Sequence, residues 1–215
     1  MIIIFDFDYT LFNPEKLRQD IAKIFPERNF SDDYQKYFKD KKISFSLNEY
    51  RAKLREESGL TENQLDQRMV AVEKLLKNSD KYLFPEALSL LEYYRRQGDR
   101  LVLLTFGNKS FQEMKVDNLG IKDLFDEVCF VEDEKKVHSI IESLKDSGEK
   151  ILIINDNAKE SLEMMRKLGG QAELKLIKGP YSGNVKHQYQ EGSLSDLLRE
   201  ITGKKELTRE IKNKR

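Results

Sequence analysis

The chain has 215 residues, enough for one sizeable core or one core with an insertion. Its 38 Lys and Arg balance its 38 Asp and Glu, so it carries no net basic charge with which to hold bulk nucleic acid or an anionic membrane. No apolar run approaches the roughly 20 residues that span a bilayer, and a soluble cytoplasmic protein is expected.

The opening segment, MIIIF (1–5), reads as a buried strand. It is too short for a signal peptide and lacks a basic flank. It runs into Asp6, Asp8 and Thr10. Residues alternate faces along a strand. The strand is therefore expected to stop near Phe5 and leave both aspartates on the loop beyond its carboxyl end, where open α/β sheets bind ligands.

Residues 14–83 show no strand and are expected to be helical. Ser46-Leu47-Asn48-Glu49 and Thr61-Glu62-Asn63-Gln64 both fit a capping box. Tyr50, Leu54 and Glu57 before Gly59 predict one helix, and Leu65, Met69, Val72, Leu75 and Leu76 a longer one. An insert of this length directly after the first strand is expected to act as a lid over that strand's carboxyl end.

Strand and helix then alternate. RLVLLT (100–105), DEVCFV (126–131), KILIIN (150–155) and ELKLIK (173–178) predict strands. Cys129, the single cysteine, reads as a buried strand residue. Helical stripes are predicted at Ala87, Leu90, Leu91 and Tyr94, at Val137, Ile140, Ile141 and Leu144, and at Leu162, Met165 and Leu168. Such alternation predicts a Rossmann-like parallel sheet with helices on both faces and right-handed crossovers. The domain plan is a core of 1–13 and 84–201, a helical cap of 14–83, and a charged tail of 202–215. His138 and His187 are expected to be exposed and without a role.

Three loops would meet at one sheet edge. They carry Asp6, Asp8 and Thr10; Thr105 with Phe106, Gly107 and Asn108; and Asn155, Asp156 and Asn157, with Glu160 beyond. Carboxylates gathered this way suit a hard cation such as Mg²⁺, which takes one or two of them plus water and phosphate oxygens. Gly107 would allow close backbone approach, and the amides opening the helix over 109–119 would face an anion.

These segments resemble the motifs of the haloacid dehalogenase-like (HAD) hydrolase superfamily: hhhhDxDxT as IIIFDFDYT, a strand ending in Thr as LVLLT, a lone lysine before a helix, and an apolar strand ending in acids as ILIINDNAKE. The resemblance runs from Met1 to about Ile201, and the helical insert looks like that superfamily's cap. It implies Asp6 as nucleophile and Asp8 as general acid and base. It implies Mg²⁺ on the Asp6 and Asp156 carboxylates and the Asp8 carbonyl, with Thr10, Asn157 and Glu160 supporting. Thr105 and the amides of Phe106 and Gly107 would hold phosphate oxygens. For the lysine motif Lys135 and Lys136 both qualify, and Lys136 is chosen as standing nearer the helix start. Tyr9 and Asn155 stand where many relatives carry Gly. The activity implied is a magnesium-dependent phosphatase acting on a small phosphorylated metabolite through an aspartyl-phosphate, with no nucleic-acid or membrane partner. A sugar-phosphate mutase and a non-catalytic phosphoryl-ligand binder are the alternatives.

Overall fold

The computed structural model describes residues 1–213, with side chains for all of these except Glu134 and 204–213. Six parallel strands lie in the order β3-β2-β1-β4-β5-β6. They are β1 (Ile2–Phe5), β2 (Arg100–Phe106), β3 (Glu127–Val131), β4 (Ile151–Asn155), β5 (Ala172–Ile177) and the two-residue β6 (Glu191–Gly192). The first five fall where the apolar runs predict them. β6 has no such run, because Glu191-Gly192 joins only the edge of β5.

The strands are buried on both faces, which explains their unbroken Val, Ile and Leu content. Along β1, Ile3 and Phe5 enter one core and Ile2 and Ile4 the other. The first core takes α5 (Ala87–Arg96), α6 (Lys109–Asp117) and the start of α9 (Leu194–Asn213). The second takes α7 (Glu134–Asp146) and α8 (Ala158–Leu168). The face that α8 buries is Ala158, Ser161, Met164 and Leu168; of the predicted stripe only Leu168 is fully buried, while Leu162 and Met165 are half-buried. The backbone of the charged tail continues α9 through Asn213, and 214–215 lie outside the described residues.

The insert is helical: α1 (Pro14–Ile24), α2 (Phe30–Tyr34) with a π-turn at Gln35–Lys39, α3 (Leu47–Glu57) and α4 (Glu62–Lys77). Ser46 accepts from the Glu49 amide, and Thr61 and Gln64 close a reciprocal capping box. The insert leaves and returns through a paired neck. The Asn13 amide donates to the Tyr82 carbonyl at 2.7 Å and the Phe84 amide to the Leu11 carbonyl at 2.9 Å. Its apolar residues run without a break into the sheet's first core, where Phe12 packs against Tyr82. The insert therefore shares the sheet's core instead of burying a separate one. No helix among the described residues is long and apolar enough to cross a membrane.

Candidate active site

The strand order reverses between β1 and β4, the crevice where an open α/β sheet has room for a ligand. β1 ends at Phe5, so Asp6 starts the loop. The chain then turns tightly: the amides of Leu11 and Phe12 both donate to the Phe7 carbonyl at 2.9 Å, and the Phe7 and Phe12 rings stack at 5.0 Å. This turn holds Tyr9 at φ 62°, the left-handed region that favours glycine. That explains why glycine suits the position. Tyr9 is held there by its hydroxyl contacts with Glu15 and Arg18 and by its ring against Tyr181.

Thr10 joins the two acidic loops. It is fully buried; its hydroxyl donates to Asp6 Oδ2 at 3.0 Å and accepts from the Asp156 amide at 3.1 Å. Asp156, at the end of β4, is buried. Burial pushes the Asp6 carboxyl well above the usual carboxylate range, and the charges of Asp156 and Glu160 push it further. Burial and then Glu160 push Asp156 up to about 7. Two carboxylates placed to resist ionisation fit a site for a cation. Asp156 Oδ2 is also buried without a hydrogen-bond partner in the protein. Among the described residues no three or more His, Cys, Asp or Glu side chains form a metal-holding group.

Asp156 is fixed from behind by Gly179. A Cβ at 179 would stand 2.6 Å from Asp156 Oδ2 and 2.9 Å from its Cβ. Gly179→Ala should therefore displace the carboxylate and raise the Mg²⁺ concentration that half-saturates thermal stabilisation by about tenfold or more, the usual cost of disturbing a metal ligand's support. An unchanged midpoint would separate Asp156 from metal binding. Nothing in the spacing marks Gly179, which lies 23 positions downstream of Asp156.

Asp8 does not hang free. Lys115 Nζ lies 2.6 and 2.8 Å from its two carboxylate oxygens, and Gln112 Nε2 donates to Oδ2 at 2.9 Å. Lys115 is 2% exposed and packs beneath the rings of Phe7, Phe12 and Phe111. Burial pulls its ammonium below the usual lysine range, and the Asp8 carboxylate works against that. Lysine thus reaches the aspartate pair from α6. Lys135 and Lys136 are both exposed in the first turn of α7, which starts one residue earlier than Lys135. The Lys136 ammonium donates to the Phe130 carbonyl at 3.3 Å. The lysine expected from motif order is therefore not the one drawn to Asp8.

Thr105, at 1% exposure, and Phe106 reach the same edge. With Asp6, Asp8 and Asp156 they line a cleft of about 400 Å³, roofed by the insert's Arg18, Tyr34, Lys39 and Lys42. Gly107 does not present its amide to this cleft. The β2–β3 ladder runs one bond further, and the Gly107 N–H donates to the Val131 carbonyl at 2.9 Å. The helix start at α6 is likewise occupied, with the Phe111 amide on Asn108 Oδ1 and the Lys109 amide on Glu132 Oε1. Asn157 caps α8 by accepting from the Glu160 amide, and Asn184 donates to the same oxygen. His138 is exposed, but His187 is not. Its side chain is 8% exposed and its Nε2 lies 2.7 Å from the Ser182 carbonyl. Burial pushes the Cys129 thiol up to about 12, so it is inert at neutral pH.

Solved structures share this arrangement of chain. One is a haloacid dehalogenase-like hydrolase from Burkholderia xenovorans (17% identity, TM-score 0.66, covering 92% of this chain and 94% of that one). Another is the L-2-haloacid dehalogenase of Xanthobacter autotrophicus (16%, 0.57, 94% and 98%). A third is the HAD-hydrolase YfnB of Bacillus subtilis, bound to magnesium (14%, 0.56, 93% and 97%). No curated protein matches the chain. The family model for haloacid dehalogenase-like hydrolases matches residues 3–169. That match runs through the aspartate loop, the β2 threonine and the Asn155-Asp156 turn, and the chain belongs to the haloacid dehalogenase-like hydrolase family.

Proposed function

We infer that this hydrolase is a magnesium-dependent phosphatase for small phosphoric monoesters. The observation that carries the reading is Asp8, fixed by Lys115 and Gln112 on the wall of the cleft that also holds Asp6. Cleaving a carbon–halogen bond releases a halide that needs no proton, so a general acid has no task in that step. Cleaving a phosphoric ester releases an alkoxide that does need one. In this reading an Asp6 oxygen attacks phosphorus while the ester P–O bond breaks, and Asp8 passes to the leaving oxygen a proton that it takes from the Lys115 ammonium hydrogen-bonded to it. Water then loses a proton to Asp8 and attacks phosphorus, which frees Asp6 and inorganic phosphate. Arg18, Lys39 and Lys42 on the roof supply positive charge over the phosphoryl group. Mg²⁺, held by the Asp6 and Asp156 carboxylates and the Asp8 carbonyl, would offset phosphoryl charge. With Mg²⁺ the protein should release phosphate from p-nitrophenyl phosphate, lose that activity in EDTA, and release no halide from 2-chloropropionate. Undiminished turnover in excess EDTA would remove the metal from the reading; halide release without phosphate release would replace the reading.

A further inference from the structure

A second cavity, of about 140 Å³, shares Asp8, Arg18, Tyr34, Ser44 and Phe106 with the cleft. Phe30, Tyr34 and Phe45 of the insert and Phe111 of α6 line it. These walls are packed: Phe45 and Phe111 meet edge to face at 4.8 Å, and Phe30 and Phe45 at 6.0 Å. Its polar lining is Asp8, Arg18, Ser44, Asn108, Gln112 and Lys115. Gln112 is 4% exposed and its Nε2 is fully used, on Asp8 and on the Phe106 carbonyl. Its Oε1, in contrast, is buried with no partner in the protein, an arrangement native proteins rarely leave unmet. A further apolar cavity, of about 170 Å³, lies between α7 and α8 and touches Asp6 but not Asp8.

We propose that the 140 Å³ cavity seats the leaving group, and that this group is one compact ring or its equivalent, carrying a hydrogen-bond donor for Gln112 Oε1. The proposal rests on the phosphatase reading, since the leaving oxygen must lie beside the residue that protonates it. That condition excludes the cavity between α7 and α8 and leaves the two that Asp8 walls; the 400 Å³ cleft, which Asp6 and Asp156 also line, takes the phosphoryl group, and the 140 Å³ cavity takes what is attached to it. Size sets the class: an apolar cavity of about 150 Å³ holds a single benzene. A bicyclic ring or a nucleoside does not fit, and a phosphorylated side chain of a folded protein cannot bring its backbone inside. Aromatic walls favour a flat, apolar body. The buried amide oxygen favours a donor on that body, because an unmet acceptor is costly.

The test measures kcat/KM with Mg²⁺ for acetyl phosphate, phenyl phosphate, 3-hydroxyphenyl phosphate, 3-methoxyphenyl phosphate, 1-naphthyl phosphate and a nucleoside 5′-monophosphate. Phenyl phosphate should exceed the naphthyl ester and the nucleotide by about tenfold or more, as a pocket rejects what it cannot hold. The hydroxyl ester should exceed its methoxy analogue by about tenfold. Two variants act from opposite sides. Phe45→Ala should shift the phenyl-to-naphthyl ratio toward naphthyl. Ser44→Phe, at the lip and outside the core, should lower phenyl phosphate more than acetyl phosphate, which has no ring to seat. A flat ranking in the wild type, or variants that leave it unmoved while acetyl phosphate is hydrolysed, would overturn the proposal alone. Failure of every ester and of acetyl phosphate would overturn the phosphatase reading and the proposal with it.

Discussion

Asp6→Asn should form no phosphoenzyme at all, whereas Asp8→Asn should be phosphorylated by an aryl phosphate and then stall. Asp6→Asn removes the attacking oxygen together with a carboxylate of the proposed metal site. Asp8→Asn leaves Asp6 and the backbone carbonyl of residue 8 in place. General acid–base help is typically worth about 10² to 10⁴ in rate. An aryl oxide needs little protonation as it leaves, so the first step largely survives the loss of Asp8. The second step does not, because no base takes the proton from water. Rapid acid quench with a labelled aryl phosphate should trap a phosphoryl group on residue 6 in the Asp8→Asn protein and none in the Asp6→Asn protein. An adduct on Asp8 of the wild type, or equal labelling of both variants, would overturn the assignment.

Asp6, Thr10 and Asp156 were legible because each follows a short, continuous apolar strand, and a parallel sheet gathers such strand ends at one edge. Their mutual contacts then follow from local chain: Thr10 lies four residues from Asp6 and one strand from Asp156. Lys115 and Gln112 were not legible in that way. They lie 107 and 104 positions from Asp8, and among 38 Lys and Arg no spacing singles one out. A signal does exist in α6. Gln112, Lys115 and Val116 share its buried face, so two polar residues occupy positions that an ordinary amphipathic helix gives to apolar ones. Buried polar side chains on a core stripe call for a partner, and Asp8 is that partner. Gly107 teaches the reverse lesson. A glycine after a strand suggested an amide free for an anion, but the ladder to β3 uses that amide. Its lack of a side chain matters for another reason: a Cβ there would stand 2.9 Å from Gln112 Nε2.

The same two aspartate variants should move stability in opposite directions. In the metal-free protein the Asp6 carboxyl is pushed up by burial, then by Asp156 and Glu160, and Asp156 is pushed to about 7. The folded chain therefore keeps protons that the unfolded chain has released above about pH 4. Wild-type stability without Mg²⁺ should accordingly fall as pH rises from about 4 to about 7. Asp6→Asn removes one of the opposed charges, so it should raise Tm at pH 7.5 and flatten that fall. Asp8→Asn does the contrary. It strips the counter-charge from Lys115, whose side chain is 2% exposed. Removing one partner of a buried pair costs about 3–5 kcal/mol, and the 28% exposure of the Asp8 side chain places the loss at the low end. A loss of about 3 kcal/mol lowers Tm by roughly 6–12 °C in a chain of this size. Adding Lys115→Met to Asp8→Asn removes the stranded ammonium and keeps the packing under Phe7, Phe12 and Phe111. The double variant should therefore be more stable than Asp8→Asn alone, although it carries one substitution more. Thermal unfolding of the four proteins at pH 7.5 without Mg²⁺ decides the matter. A lowered Tm for Asp6→Asn would contradict the charge repulsion, and a further loss in the double variant would show that Lys115 is held by its ring contacts and not by Asp8.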